Sequence, residues 1–140
     1  EVYNVALSPF LSETLPADQA IMEASSVMKD FMVANTRSDT LLMFSDMAGA
    51  DGYESNADIP FSTLLPSFIT SELKTAFQIG FLLFLPFLVI DMVIASILMA
   101  LGMMMLSPML VSLPFKLLLF VLVDGWAMTV GSLAATFLTP

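Results

Sequence analysis

The chain contains no cysteine and no histidine, and these absences exclude several kinds of chemistry. Without cysteine there is neither a disulfide nor a thiolate nucleophile. Without histidine the commonest metal ligand and the usual proton carrier near neutral pH are missing. We therefore expect no catalytic residue, no metal site and no cofactor, and we interpret the protein as something other than an enzyme.

Basic residues are also scarce. Four lysines and arginines stand against 13 aspartates and glutamates, for a net charge of -9. Binding to nucleic acid needs basic side chains to neutralise phosphates, so we expect no nucleic-acid partner. A glycine-rich phosphate-binding loop is missing as well, and any energy input would have to come from another protein.

The charges that are present divide unevenly along the chain. Residues 1–63 carry ten acids and two bases, and residues 64–140 carry three acids and two bases. A run of thirty residues, 77–106, contains Asp91 as its one ionisable side chain, whereas about 20 apolar residues suffice to cross a bilayer as a helix. We predict an all-α membrane protein with an acidic, water-facing part at 1–63 and an apolar part at 64–140.

The first part has the spacing of two amphipathic helices. Apolar side chains recur every three to four residues after Pro16, which predicts a helix from Ala17 to Ala34. A shorter helix is predicted from about Asp39 to Ala48, with Gly49 as its stop. The polar and acidic stretch 50–58 is typical of a loop.

The second part is predicted to be a helical hairpin with breaks. Pro86 lacks a backbone donor inside the first apolar run, so we expect a kink between Leu82 and Pro86. Gly102 and Pro108 bracket a reversal of the chain. The returning limb should comprise 113–123 and 127–138.

A break is predicted between these two stretches, at Asp124, Gly125 and Trp126. Asp124 and Gly125 have residue types that cap or end helices, and Trp126 is typical of a membrane interface. We interpret all three as structural.

Asp91 and Lys116 are equally distant in sequence from the midpoint of Met103 and Met104. In a hairpin that turns there, both side chains lie at a similar depth, on the order of 15 to 20 Å from the tip. Opposite charges at equal depth favour pairing. The alternative is that Lys116 extends to an interface while Asp91 faces water in a pore.

Five stretches of the second part carry motifs that follow one another along the chain: 71–81, 86–91, 101–105, 112–117 and 123–126. These motifs resemble the FliP family of flagellar type III export gates, which is related to injectisome export proteins. They follow one another in the family's order over about 75 residues, and the segment around Phe31 and Arg37 resembles the family too. The resemblance implies that the family's N-terminal part, with a signal sequence and earlier hydrophobic segments, is absent from this chain.

The resemblance implies a fold, a location and a set of partners. Subunits of this family form a closed helical ring, with about five copies of the chain, together with FliQ-like and FliR-like subunits. The ring belongs to the bacterial inner (plasma) membrane at the flagellar basal body, in contact with lipid. The N-terminal half would be extracytoplasmic, and unfolded export substrate proteins would pass through the lumen.

The resemblance also implies roles for particular residues. Met103, Met104 and Met105 would form a flexible apolar gasket that seals the lumen, although three methionines can also be plain core filler. Two charge pairs between neighbouring subunits are expected. They are Asp91 with Lys116, and Arg37 with Glu72; the alternative for the second pair is two solvated charges.

Two other functions remain open from the residues alone. An ion or small-solute transporter would place Asp91 and Lys116 on its translocation path. A purely structural membrane scaffold would use neither residue for transport.

Overall fold

Helices joined by short connections make up the described part of the chain, and no strand occurs there. A computed structural model describes residues 1–102 and 105–138. A π-helical turn at Tyr3–Leu7 comes first, and a 3-10 turn at Asn56–Asp58 lies between α3 and α4. The α-helices are α1 (Ser8–Leu11), α2 (Ala17–Ala34), α3 (Ser38–Met47), α4 (Phe61–Ala100), α5 (Pro108–Leu122) and α6 (Gly125–Leu138).

The chain divides into two compact units, Glu1–Lys74 and Thr75–Pro140. The long helix α4 contributes residues to both. Charge and hydropathy place the division at residue 63, whereas packing places it after Lys74, because the first turns of α4 pack within the first unit. We call these the acidic unit and the hairpin unit.

The core of the acidic unit is small. Met32, Ile59 and Leu64 form its buried cluster, and Leu64 is completely inaccessible. The aromatic rings of Phe31 and Phe68 lie 6.0 Å apart beside this cluster. This core joins α2, the segment before α4 and the first turns of α4. Partly buried residues packed against it are Val33, Leu41, Tyr53 and Phe68.

The helices of the acidic unit follow their sequence patterns closely. Helix α2 has the predicted bounds, and Pro16 precedes it in an extended conformation. Helix α3 lies one residue earlier than predicted at each end, and Gly49 has a φ of 71°, the left-handed conformation of a helix stop. The helical turns before residue 12 were not anticipated.

A face of α4 that carries small hydroxyl side chains is buried in the acidic unit. Thr63, Ser67 and Ser71 recur every fourth residue and therefore share one side of the helix. The Ser67 hydroxyl donates a hydrogen bond to the Thr63 carbonyl at 2.6 Å, and the Ser71 hydroxyl accepts one from the Arg37 N–H at 2.9 Å. Burial of these polar groups is tolerated because they are hydrogen-bonded.

In the hairpin unit, α4 ends at Ala100 and Gly102 follows with a φ of 72°. Pro108 is the first residue of α5, so this helix begins five residues before the predicted limb. Helix α4 is continuous through Pro86. The bend of its axis at that proline stays a prediction.

The break in the returning limb lies just before α6. Asp124 has a φ of 52°, and α5 and α6 meet at an angle of 60°. Gly125 and Trp126 already belong to α6. The interruption is therefore shorter than predicted and centres on Asp124.

Within the described ranges, α4 is the one helix long and apolar enough to cross a membrane by itself, and the bent pair of α5 and α6 would make a second span. Only 6% of the most apolar stretch of α4 is buried within the chain. Its apolar side chains therefore need cover from lipid or from other subunits.

Candidate functional site

A charged cluster joins α4 to α5 in the hairpin unit. The Lys116 Nζ lies 2.8 Å from Asp91 Oδ1, and the Ser112 hydroxyl donates to the same oxygen at 2.7 Å. Ser112 is fully buried, while the Lys116 and Asp91 side chains retain 23% and 29% of their exposure. The carboxylate thus has two donors from one face of α5, since Ser112 and Lys116 are four residues apart.

This pair forms within one chain. Contacts between neighbouring subunits were favoured for Asp91 and Lys116 from the sequence, and that expectation stays a prediction because the structure describes a single chain. Each charge already has its partner inside the hairpin. A contact between subunits is therefore not needed to compensate either of them.

An aromatic pair aligns α4 and α5 in the same register as the charged pair does. The rings of Phe87 and Phe120 stack at 6.3 Å, each one helical turn farther from the tip than Asp91 and Lys116. Both pairs are symmetric about the midpoint of residues 103 and 104. Two independent contacts thus fix the alignment of α4 against α5.

The same phenylalanine also holds the bend between α5 and α6. Phe120 contacts Trp126 edge to face at 5.3 Å, and its ring covers Gly125. A Cβ atom at Gly125 would lie 2.4 Å from the Phe120 ring. Any larger residue at this position would force the Phe120 ring or the bend itself to move.

The methionine turn is only partly described. Met103 and Met104 lie outside the described residues. Met105 is 100% exposed, close to Gly102 and to the start of α5 at Pro108. The structure thus places one of the three predicted gate residues at the tip of the hairpin with no cover from its own chain.

Arg37 and Glu72 lie in the acidic unit, and both are half-buried. The backbone N–H of Arg37 donates a hydrogen bond to the Ser71 hydroxyl, and Ser71 directly precedes Glu72. The two predicted partners, Arg37 and Glu72, therefore lie near each other in this chain. The ion pair that forms nearby was missed from the sequence. Lys74 Nζ lies 3.7 Å from Asp39 Oδ2, with 49% and 70% of the respective side chains exposed.

The Thr40 N–H, which donates to Asp39 Oδ1 at 2.9 Å, is the main cause that lowers the pKa of Asp39. Desolvation is the second-largest influence on this pKa and raises it, and the positive charge of Lys74 lowers the pKa by a smaller amount. Asp39 is therefore ionised over the whole neutral range. In the described part of the chain, no group of three or more acidic side chains is placed to hold a metal ion.

Three further site residues were not predicted, although the sequence contains a signal for them. Phe87 lies four residues before Asp91, and Ser112 and Phe120 lie four residues on either side of Lys116. Once Asp91 and Lys116 are paired, helical periodicity places these side chains on the same contacting faces.

The fold and the cluster define a class: in its described residues, a helical protein with one helix long and apolar enough to span a membrane, whose apolar hairpin is aligned by one charge pair and one aromatic pair. The chain belongs to the FliP family, whose sequence model matches residues 1–133.

Several curated relatives are similar over nearly the whole of this chain. Flagellar biosynthetic protein FliP of Cereibacter sphaeroides is 74% identical over 97% of the chain, which corresponds to 45% of that protein. The proteins of the same name from Buchnera aphidicola subsp. Acyrthosiphon pisum and Bacillus subtilis are 54% and 52% identical, with 37% and 62% of their lengths covered. The chain thus spans about half the length of the curated relatives it matches.

Proposed function

We propose that this chain is a pore-forming and sealing subunit of the flagellar type III protein export gate, which conducts unfolded flagellar proteins across the inner membrane. Its relatives are named flagellar biosynthetic proteins, which supports a role in the flagellar export apparatus. The observation that carries the pore role is the aligned apolar hairpin with an uncovered methionine at its tip. The role is structural and not enzymatic.

The exposed apolar surface of the hairpin unit supports an assembly. Helix α4 buries little of its most apolar stretch in its own chain, and large apolar side chains of α5 and α6 are exposed as well. Such surface is stable only against lipid or against other apolar helices. A homo-oligomeric ring of about five copies with FliQ-like and FliR-like subunits would supply that cover.

The charged cluster suits the wall of a pore better than a path for ions. Asp91 binds Lys116 and Ser112, so its charge is compensated within the hairpin. Membership in the FliP family does not favour the alternative function, an ion or small-solute transporter. In the proposed ring, Asp91 and Lys116 would keep this pair within the hairpin and would also contact the opposite charge of the neighbouring subunit, and Arg37 would contact Glu72 of the neighbour.

The contrast between the two parts of the chain supports the proposed location. The apolar part, 64–140, would lie within the ring at the inner membrane, and the acidic part, 1–63, would form an extracytoplasmic layer. The acidic composition of residues 1–63 supports contact with water on that side. Membrane lipid and unfolded export substrates complete the set of proposed partners.

In the closed state, Met103, Met104 and Met105 of each subunit would meet in one apolar constriction. Such a constriction excludes ions by dewetting, and flexible thioether side chains can reshape around a passing chain. The full exposure of Met105 supports this role, because a core methionine would be covered by its own chain.

The test replaces Met103, Met104 and Met105 together with alanine in the complete export gate. We expect normal assembly and an ion leak, measured as conductance of the gate reconstituted in planar bilayers. The matched control replaces three exposed methionines of the acidic unit, Met22, Met28 and Met43, and should stay ion-tight. A triple variant at the turn that assembles and conducts no more than the parent would contradict the sealing role.

A further inference from the structure

An open groove of about 540 Å³ lies in the acidic unit, between α3 and the segment that follows it. Leu41 and Tyr53 form its apolar floor, where both side chains pack against the core, and Leu42 extends from α3 beside them. Three exposed carboxylates line the rim: Asp46, Asp51 and Glu54. The groove therefore offers an apolar contact surrounded by negative charge.

The wall of the groove opposite α3 is held in place by hydrogen bonds. Lys29 Nζ donates to the Ala57 carbonyl at 2.8 Å, and the Ser55 N–H and hydroxyl both donate to the Asp58 carboxylate, at 2.9 and 2.7 Å. The Ala50 N–H donates to the Ser45 carbonyl at 3.0 Å. A preformed groove of this kind loses little conformational entropy when it is occupied.

The negative charge of the rim is not neutralised by an ion pair among the described residues, and Lys29, which holds the wall, donates to a carbonyl and not to a rim acid. No lysine or arginine occurs between Arg37 and Lys74, and neither ion pair of the described residues involves the three rim acids. Charge complementarity therefore selects a cationic partner. A second copy of this chain is a poor occupant of the groove. Each copy carries a net charge of -9, and its Lys29 and Lys74 already bind Ala57 and Asp39.

We propose that this groove binds a short extended segment of a different protein, in which lysine or arginine flanks an apolar side chain. The apolar side chain would sit against Leu41, Leu42 and Tyr53, and the basic side chains would reach the rim carboxylates. The apolar contact supplies affinity, and the charges supply orientation and a fast encounter.

The test measures binding of short labelled peptides to the full chain in nanodiscs of phosphatidylcholine, with empty nanodiscs as background. One peptide carries lysines on both sides of a leucine pair. A second has glutamate in place of each lysine, and a third has serine in place of each leucine. We expect binding of the first peptide only, and we expect it to weaken as salt is added.

The rim is tested by the triple variant Asp46→Asn, Asp51→Asn and Glu54→Gln. Neutralising three contacting charges should weaken binding of the lysine–leucine peptide roughly tenfold. The matched control, with Glu13→Gln, Asp18→Asn and Glu23→Gln, changes the net charge equally at exposed positions outside the groove and should change affinity less than about twofold.

The floor is tested by Leu42→Ser, with Leu11→Ser as the control at an equally exposed leucine away from the groove. Binding should weaken several-fold in the first variant only, because the apolar contact is lost there. Equal losses in the two charge variants, or binding of the glutamate peptide, would overturn the proposal. So would failure of the lysine–leucine peptide to bind at low salt, or a Leu42→Ser variant that changes the mass of the oligomer but not peptide binding.

Discussion

The two ion pairs of the described residues show how differently the two units of this chain are held together. Asp39 and Lys74 lie 3.7 Å apart on the surface of the acidic unit, where water reaches most of the aspartate. Asp91 and Lys116 lie 2.8 Å apart among apolar side chains of the hairpin unit, and a buried serine adds a second donor. The first pair lies beside a core, whereas the second aligns two helices.

The difference follows from the chemistry of the surrounding surfaces. The acidic unit has a buried cluster of its own, so its shape depends on apolar packing between distant segments. Apolar helices such as α4 and α5 present similar surfaces at every register, and packing alone discriminates poorly between registers. Polar and aromatic contacts at Asp91 and Phe87 supply that discrimination in the hairpin unit.

The largest effect is expected from a substitution in the core of the acidic unit. Leu64→Ala removes a completely buried side chain and should destabilise this unit by about 2 to 5 kcal/mol. Its neighbour Leu65 is 49% exposed on the same helix, so Leu65→Ala is the matched control and should cost far less. Hydrogen exchange read by mass spectrometry should rise in α2 for the first variant only.

The same measurement shows whether the units are held independently. Exchange in α5 and α6 should not change in Leu64→Ala, since these helices take no part in the buried cluster. Faster exchange in all helices would mean that the core of the acidic unit also stabilises the hairpin unit. The contrast between the two units would then be wrong.

An intermediate effect concerns the bend of the hairpin unit. Gly125→Ala would bring a Cβ atom against the Phe120 ring and should cost about 1 to 3 kcal/mol, measured by thermal unfolding in detergent. Gly131→Ala is the control in the same helix, because a Cβ there meets nothing within 4 Å. It should raise stability by about 0.5 to 1 kcal/mol.

A second substitution identifies the cause of that loss. Phe120→Ala removes the ring that occupies the space, so Gly125→Ala should cost much less in that background. If Gly125→Ala is equally costly with and without the ring, steric conflict with Phe120 is not what requires glycine at the bend.

Much of the fold could be predicted because its signals are local. Helix α2 combines an apolar spacing of three and four with a proline before its first residue, and its predicted bounds match the structure. Helix α5 was predicted to start too late, because Pro108 was interpreted as part of the reversal. A proline costs nothing at the first position of a helix, where its missing N–H would have no intrahelical partner.

Other features could not be predicted because they depend on tertiary contacts. The turn at Tyr3–Leu7 is too short to be stable alone. Burial of Ala6 helps to hold it in the folded chain. Asp39 and Lys74 are not equally distant from a predicted turn, so the sequence gives no reason to pair them. Asp91 and Lys116 were paired from the sequence because a hairpin has a predictable register.

The smallest expected effect compares the two ion pairs directly, by double-mutant cycles at low and high salt. One cycle uses Asp39→Asn with Lys74→Gln, and the other uses Asp91→Asn with Lys116→Gln. The coupling of the exposed pair should vanish at about 1 M salt, where the Debye length is roughly 3 Å. The coupling within the hairpin should fall less, because the Lys116 and Asp91 side chains are only 23% and 29% exposed and Ser112 adds a buried donor.

Acid provides an independent check on the exposed pair. The folded pKa of Asp39 is lowered, so its contribution to stability is present above the pKa of the unfolded chain and is lost as the pH falls through the folded value. The pH dependence of unfolding should therefore flatten slightly in Asp39→Asn over that acidic interval. Lys74→Gln should leave part of the dependence in place, because the Thr40 N–H still favours the ionised carboxylate. Equal loss in both variants would show that Lys74, and not the backbone donor, is the main cause of the lowered pKa.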